Sequence, residues 1–217
     1  CLSNFSFQRG ASHPEELVAR AAELGYAALA ITDECSLAGV VRAWRAHCEL
    51  PESTRPQLII GSELQIHDGP AIVLLAMNRG GYAQLSRLIS AARRAAGKGE
   101  YHLPRQALDA AASRLDGCLA LLLPPAGFPV TSAPGMQDDA STALCADARW
   151  LGEHFPGRAW MAVETRMDGR DRSRITRLRR IAREAGIGAV AATGALMHDA
   201  ARQPLADGRK RDSLITY

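Results

Sequence analysis

The chain has 217 residues, of which 47% are hydrophobic and 5% aromatic, and its formal net charge is +3. A net charge this small does not by itself indicate nucleic-acid binding, and no run of about 18 apolar residues indicates a transmembrane helix. Five scattered cysteines without a C-x-x-C pair predict reduced thiols in the cytoplasm, not a disulfide framework or a thiolate zinc site.

Strand and helix patterns alternate along the chain. Ser12 and Glu15 have the spacing of a capping box at the start of a helix, which Gly25 ends. Further helices are predicted at 37–50, around 82–92, after 104, at 142–154 and at 175–182, and strands at 27–32, 58–62, 71–77, 118–123, 160–164 and 187–193. This alternation predicts a parallel sheet covered by helices, and it favours a barrel over an open sheet.

The two ends and one internal segment interrupt this pattern. Residues 124–141 contain four prolines and are predicted to form a loop. Residues 203–217 are charged and lose periodicity, which predicts one domain over 1–202 followed by an irregular tail. Cys1-Leu2 resembles the end of a strand, so we expect a truncated first strand and a chain that is a fragment.

Acidic residues follow three of the predicted strands. Asp33 and Glu34 end the first strand, Glu63 ends the second, and Glu164 ends a later one. Because parallel α/β folds bind ligands at the carboxyl ends of their strands, these carboxylates indicate a metal or phosphate-chemistry site.

An ordered series of segments covers nearly the whole chain: 2–12, 16–26, 28–40, 60–63, 73–85 and 155–160. They resemble the PHP domain (polymerase and histidinol phosphatase) of bacterial DNA polymerase III alpha subunits, and among these the error-prone, damage-inducible branch. The resemblance implies an α/β fold, a PHP-type (β/α)7 barrel. It also implies an active site of His, Asp and Glu that binds up to three divalent metals and hydrolyses phosphoesters.

The resemblance places only part of that metal site in this sequence. Asp33 matches the Thr-Asp-His motif, in which Glu34 replaces the histidine, and Glu63 matches Gly-x-Glu. Leu2 and Ala71 stand at other ligand-histidine positions, and the final Asp-x-His motif is shortened to Ala195-Leu196. We therefore expect no catalytic residue and a residual metal site of Asp33, Glu34 and Glu63, with Glu164 and His198 as possible neighbours.

The same positions allow plainer interpretations. Asp33 could cap the next helix and Glu34 could form a salt bridge, which the missing histidines favour. Glu63 could be a relic that hydrogen-bonds in the barrel mouth, and His198, alone in a loop, is expected to be solvated. A weakly held divalent metal remains an alternative for the three acids.

The functional expectation follows from the resemblance. The chain is expected to be a scaffold domain of an error-prone DNA polymerase, a nucleotidyltransferase acting in DNA replication, repair and translesion synthesis in the cytoplasm. Its partners would be the polymerase domains of the same parent protein, whose palm would bind Mg²⁺ and DNA. DNA would thus be contacted only indirectly, and no membrane would be bound. The alternatives are a metal-dependent phosphoesterase of the same superfamily and a decaying or truncated gene product.

One basic stretch has two interpretations. Its eight arginines are Arg166, Arg170, Arg172, Arg174, Arg177, Arg179, Arg180 and Arg183. They could contact DNA phosphate or a polymerase domain. They could also form the solvated face of an amphipathic helix with Ile175, Leu178 and Ile181 inward, and this second interpretation is favoured.

Overall fold

The structure is a computed structural model that describes residues 1–129 and 139–204. It divides into two compact units, the first formed by Cys1–Glu63 with the described residues from Gly194 onward, and the second by Leu64–Thr193. Within the described ranges, none of the helices has the length and apolar character needed to cross a membrane.

The first unit contains a small parallel sheet with two helices. Its elements are α1 (Pro14–Glu23), β1 (Ala28–Ile31), α2 (Val40–Glu49), β2 (Gln57–Gln65) and a short 3-10 helix (Ala200–Arg202). β1 pairs in parallel with β2, with Ile31 opposite Ile60. The hydrophobic core joins Leu17 and Val18 of α1 to Ile31 of β1 and Ala43 of α2.

The N-terminal residue lies beside β1. The Cys1 amine donates to the Ala30 carbonyl at 2.8 Å, and the Thr32 N–H donates to the Cys1 carbonyl at 2.9 Å. These bonds continue the hydrogen-bonding pattern of a parallel strand, as the strand-like sequence of Cys1 and Leu2 predicts. The expectation that this strand is truncated stays a prediction.

The start of α1 lies one residue later than the predicted capping box. His13 is the N-cap residue, and its N–H donates to the Glu16 carboxylate at 2.8 Å. Pro14 occupies the first turn, where the missing N–H has no intrahelical acceptor to lose. The predicted Ser12–Glu15 box is therefore wrong, because the Ser12 hydroxyl contacts His198 instead.

Over its described residues, the second unit contains a four-stranded sheet with four helices. Its elements are β3 (Ala71–Ala76), α3 (Arg79–Arg94), α4 (Arg105–Ala112), β4 (Cys118–Leu123), α5 (Asp139–His154), β5 (Ala159–Glu164), α6 (Asp171–Glu184) and β6 (Gly188–Ala192). β4, β5 and β6 are parallel neighbours. Of the predicted loop 124–141, the last three residues belong to α5, and residues 130–138 lie outside the described residues. Nearly all of the predicted tail, 205–217, also lies outside them.

One strand pair departs from the predicted parallel sheet. β3 is antiparallel to β4, with Ala71 opposite Leu123. A single crossover helix returns the chain to the end of the sheet where it started and gives a parallel pair. Here two helices, α3 and α4, follow each other between the strands, so the chain enters β4 from the opposite end. The α/β class is confirmed, and the uniformly parallel sheet is corrected.

Close packing of α3 against the start of β4 depends on two glycines. A Cβ at Gly81 would lie 1.9 Å from the Gly117 carbonyl oxygen, and a Cβ at Gly117 would lie 2.6 Å from the Gly81 nitrogen. The Cys118 thiol donates to the Gly81 carbonyl at 3.4 Å, and burial raises the pKa of Cys118 to about 11. This cysteine is therefore a packed core residue without a reactive thiolate.

Candidate functional site: an acidic cluster held by serines and an arginine

The predicted acids of the first unit meet at one edge of its sheet. Asp33 and Glu34 follow β1, and Glu63 lies near the end of β2. The Glu63 N–H donates to the Thr32 carbonyl at 3.2 Å, and the Cys35 N–H donates to the Glu63 carbonyl at 2.8 Å. The prediction that Asp33 and Glu63 lie at the same end of the sheet is therefore confirmed.

The Asp33 carboxylate is buried and is surrounded by donors from the N-terminal segment. Its Oδ1 accepts from the Ser3 N–H and from the Ser6 hydroxyl, both at 2.7 Å. Its Oδ2 accepts from the Ser3 hydroxyl at 2.7 Å. Only 1% of the residue is exposed to solvent. Both oxygens are therefore already coordinated by the protein itself.

The plainer interpretation predicted that Asp33 caps the next helix, and this prediction is wrong. The N-cap of α2 is Gly39, and no side chain caps it. A Cβ at Gly39 would lie 2.6 Å from Asp33 Oδ2, so only glycine leaves room for the carboxylate. The carboxylate therefore packs against the start of α2, but the hydrogen bonds that it accepts come from Ser3 and Ser6.

Two serine hydroxyls tie the acidic segment together. Ser6 Oγ donates to Asp33 and accepts from the Glu34 N–H at 2.9 Å. Ser62 Oγ donates to the Asp33 carbonyl at 2.7 Å and accepts from the Ser36 N–H at 3.1 Å. Each hydroxyl acts as both donor and acceptor, so the turn after β1 is fixed by side chains as well as by backbone bonds.

Arg9 lies between the two glutamates. Its Nη1 is 3.0 Å from Glu34 Oε2 and 2.6 Å from Glu63 Oε1, so one nitrogen bridges two carboxylates. Burial by itself lowers the pKa of Arg9, but the hydrogen bonds and negative charges of Glu63 and Glu34 outweigh it and raise the pKa above its ordinary value. The salt bridge that the plainer interpretation predicts for Glu34 is present in this form.

His198 is placed by a second set of contacts in the same unit. Its Nδ1 is 2.7 Å from Ser12 Oγ and 3.7 Å from Glu16 Oε2, and its N–H donates to Ser12 at 2.9 Å. Arg202 donates to the other oxygen of Glu16. His198 is thus engaged in fastening the segment after Gly194 onto the start of α1, and only 22% of its side chain is exposed. The expectation of a solvated histidine is corrected.

Two other predicted positions, Ala71 and Glu164, lie in the second unit. Glu164 ends β5 and pairs with Ala192 of β6, and Ala71 begins β3. The prediction that Glu164 neighbours the acidic cluster stays a prediction.

The donor set does not fit a divalent metal. Such a metal takes ionised carboxylates and neutral imidazoles as ligands. Here Asp33 accepts three hydrogen bonds, and Arg9 supplies a positive charge to Glu34 and Glu63. Among the described residues, no group of three or more His, Cys, Asp or Glu side chains has a metal-binding arrangement.

Sequence reasoning found the acids but missed the residues that satisfy them. Ser3, Ser6 and Arg9 all come from the short segment that follows the Leu2 position of the first histidine motif. The sequence did contain a signal. Two serines and an arginine follow Leu2, which stands where the family has a ligand histidine, while the acids of the site are kept. That signal predicts charge compensation in place of a metal.

Comparison with known proteins assigns this fold and site to a class. The profile of the PHP domain matches residues 1–158, so the chain belongs to the PHP-domain family. It is homologous to the PHP region of error-prone DNA polymerases. It is 56% identical over 208 residues to the error-prone DNA polymerase of Aromatoleum aromaticum, and 50% identical over 206 residues to that of Methylococcus capsulatus. Each match covers 95% of this chain but only 18% of the relative.

Solved structures show the same fold at low sequence identity. One is a protein assigned as a metal-dependent phosphoesterase from Bifidobacterium adolescentis, with a TM-score of 0.52, and the other is an amidohydrolase from Chromobacterium violaceum with bound sulfate and no metal, with a TM-score of 0.55. Both are 17% identical and match over 96% of this chain and 94% of theirs. The similarity supports a PHP-type barrel fold.

Proposed function

We propose that this chain is a scaffold domain of an error-prone DNA polymerase and does not itself hydrolyse phosphoesters. The observation that carries the proposal is Arg9, whose guanidinium bridges Glu34 and Glu63 at the carboxyl ends of β1 and β2. A guanidinium stays protonated at any physiological pH and cannot activate a water molecule as a metal does. The cluster therefore retains charge balance without the chemistry of a metal site.

The wider role rests on the polymerase relatives. The chain spans 18% of their length, so the polymerase activity, its Mg²⁺ and its DNA substrate would reside in other parts of a longer protein. In that setting the partners of this domain are the polymerase domains of the same chain. Translesion synthesis during DNA repair in the cytoplasm is the process in which we place it.

The experiment measures metal content and hydrolysis together. The chain is purified without chelator, its Zn and Mn are quantified, and hydrolysis of bis-p-nitrophenyl phosphate is followed with added Mn²⁺. We expect less than one equivalent of bound metal. The hydrolysis rate of the unchanged chain should equal that of buffer alone, and Asp33→Asn and Glu63→Gln should not change it. About two or more bound equivalents, with hydrolysis that either substitution abolishes, would overturn the proposal and favour the metal-dependent phosphoesterase.

The scaffold role has a separate test in the full-length parent. Arg9→Gln should lower the melting temperature of the polymerase, while primer extension per folded molecule stays unchanged. Arg20→Gln is the matched control, since Arg20 pairs with Glu23 on the exposed surface of α1. A loss of extension rate without a loss of stability would contradict a purely structural role.

A further inference from the structure

The arginines of α6 divide into two groups according to their partners. Arg174 is buried and contacts Asp168 and Asp171. Arg177 is also buried, donates to Ser141 Oγ and to the Pro129 carbonyl, and lies over the Phe128 ring at 4.9 Å. These two arginines fasten the helix to neighbouring segments and are not available to a ligand.

Three other arginines of this helix face solvent together. Arg172, Arg179 and Arg183 are exposed, and within the described part of the chain none of their guanidinium groups has a hydrogen-bond or ion-pair partner. Both carboxylates of α6 are engaged elsewhere, since Asp171 accepts from Arg174 and Glu184 accepts from Arg180 at 3.0 Å. The exposed set therefore carries three uncompensated positive charges, which we call the arginine row.

The spacing of the arginine row makes it one face. Steps of seven and four residues keep the three side chains within an arc of about 40°, at about 100° per residue. With a rise of 1.5 Å per residue, Arg172 and Arg183 are about 16.5 Å apart along the axis. Phosphates of one DNA strand follow each other at about 3.4 Å along the duplex axis, so the row spans about five of them.

The residues around the row favour a phosphate backbone over a protein surface. Thr176 is exposed and lies about 20° from Arg183 on this face, while Ile175 at its edge is half-buried, so the exposed part of the face is polar. Protein interfaces need an apolar core, whereas phosphate contacts come from Arg, Ser and Thr side chains. The face also lacks aromatic residues, so it cannot stack single-stranded bases.

We propose that the arginine row binds the phosphate backbone of duplex DNA, without reading its sequence. This contact goes beyond the scaffold role, because it gives the domain its own direct contact with DNA. The formal net charge of +3 obscures it, since the paired arginines and the carboxylates of the chain nearly cancel. The affinity should lie in the range of non-specific binding, with a Kd of about 10⁻⁴–10⁻⁶ M near physiological salt.

The test is the salt dependence of binding by the 217-residue chain. Fluorescence anisotropy with a labelled 24-base-pair duplex is measured from low to physiological NaCl. In the triple variant Arg172→Gln, Arg179→Gln, Arg183→Gln, the slope of log K against log salt should become shallower by about 2.7, which is 0.9 for each lost phosphate contact. Glutamine is a good helix former, so α6 should stay folded, and circular dichroism verifies it.

A charge-matched control separates a local site from overall charge. Arg45, Arg94 and Arg114 are exposed residues of α2, α3 and the turn after α4, and replacing all three with glutamine also takes the formal net charge from +3 to 0. We expect this control to lose far less of the slope than the row variant. A triple Lys variant of the row should keep nearly the whole slope, because a point charge still neutralises phosphate.

Three results would overturn the proposal. They are no measurable binding by the unchanged chain at low salt, equal loss of slope in the row variant and the control, and loss of binding in the lysine variant. The first result would exclude a DNA contact. The second would attribute DNA binding to the net charge of the chain, and the third would attribute the loss of binding to altered packing of α6. None of them bears on metal content or hydrolysis, so the scaffold proposal is tested independently.

Discussion

At the scale of single residues, the acidic cluster shows how one cation can satisfy carboxylates that a metal site would use. Arg9 Nη1 contacts Glu34 and Glu63, while Ser3 and Ser6 donate to Asp33. Carboxylates placed side by side repel each other unless a positive charge or hydrogen-bond donors compensate them. The carboxylates are therefore compensated as a set, and removing the cation exposes their mutual repulsion.

The first prediction concerns that cation. Arg9→Gln should lower the free energy of unfolding by about 1 kcal/mol, a modest figure because Arg9 is 40% exposed and water screens the pair. Urea denaturation of the chain measures the change. The control Arg20→Gln, which breaks an exposed pair within α1, should change it by less than about 0.5 kcal/mol. Equal losses in both variants would show that Arg9 is an ordinary surface ion pair.

At the scale of elements, α6 combines a packed face with a charged one. Leu178 and Ile181 are buried, as the amphipathic pattern predicts, and Ile175 is half-buried. Arg174 and Arg177 lie on the packed side as well, and Arg174 contacts two carboxylates, that of Asp168 before the helix and that of Asp171 in its first turn. The Asp171 carboxylate accepts from the N–H groups of Arg166 and Met167 at 2.8 and 2.9 Å, which fixes the turn that leads into the helix.

The second prediction is a pH dependence at this helix start. Hydrogen bonds from Arg174 and from the Arg170 N–H lower the pKa of Asp168 below its ordinary 3.8. A carboxyl group whose pKa is lowered by folding stabilises the native state above the unfolded pKa, and that contribution disappears as the pH falls through the folded pKa. The stability difference between the unchanged chain and Asp168→Asn should therefore be full above about pH 5 and should vanish in stronger acid.

Denaturation curves of both proteins across this pH range give the measurement. Asp199→Asn provides the control. Asp199 caps the short 3-10 helix, and within the described residues it forms no ion pair with an arginine. A difference between the unchanged chain and Asp168→Asn that persists unaltered into strong acid would show that the Asp168 charge is not the source.

At the scale of the whole molecule, the chain keeps the PHP fold while its acidic cluster is satisfied from within. The match to polymerase relatives extends over 95% of its length. A fold held together by a metal depends on that metal for stability, whereas one held by side chains does not.

The third prediction follows from this independence. Dialysis against EDTA should leave the melting temperature unchanged. A metal present at 100 times its Kd would stabilise the chain by about 2.7 kcal/mol. Its removal would lower the melting temperature of a domain this size by several degrees, at about 2–4 °C per kcal/mol. Differential scanning calorimetry before and after dialysis decides between the two, and recovery on adding Mn²⁺ would confirm a metal site that the side-chain network argues against.

Most elements of the fold could be predicted because their patterns are local. The strand Cys118–Leu123 was predicted with its observed bounds, since a continuous apolar run between turns is a strong local signal. The direction of β3 was not predictable in this way. Strand direction depends on how many elements intervene and how they pack, and no residue of Ala71–Ala76 encodes it.

The candidate site divides along the same line. Sequence motifs placed Asp33 and Glu63 at neighbouring strand ends, because parallel strands bring their carboxyl ends to one edge. They did not reveal that Ser3, Ser6 and Arg9 would satisfy these acids. Those contacts join residues 25 to 54 positions apart in the sequence, and only the folded chain brings them within hydrogen-bond distance.

The sequence by itself determined the family, the α/β class and the acids of the site, because motifs and apolar periodicity are properties of neighbouring residues. The tertiary structure decided which charges are compensated. Eight arginines stand in one stretch of sequence with nothing to distinguish them. Packing buries Arg174 and Arg177 against their partners and leaves Arg172, Arg179 and Arg183 facing water. Compensation of charge depends on distances of a few ångströms between groups, and those distances exist only once the chain has folded.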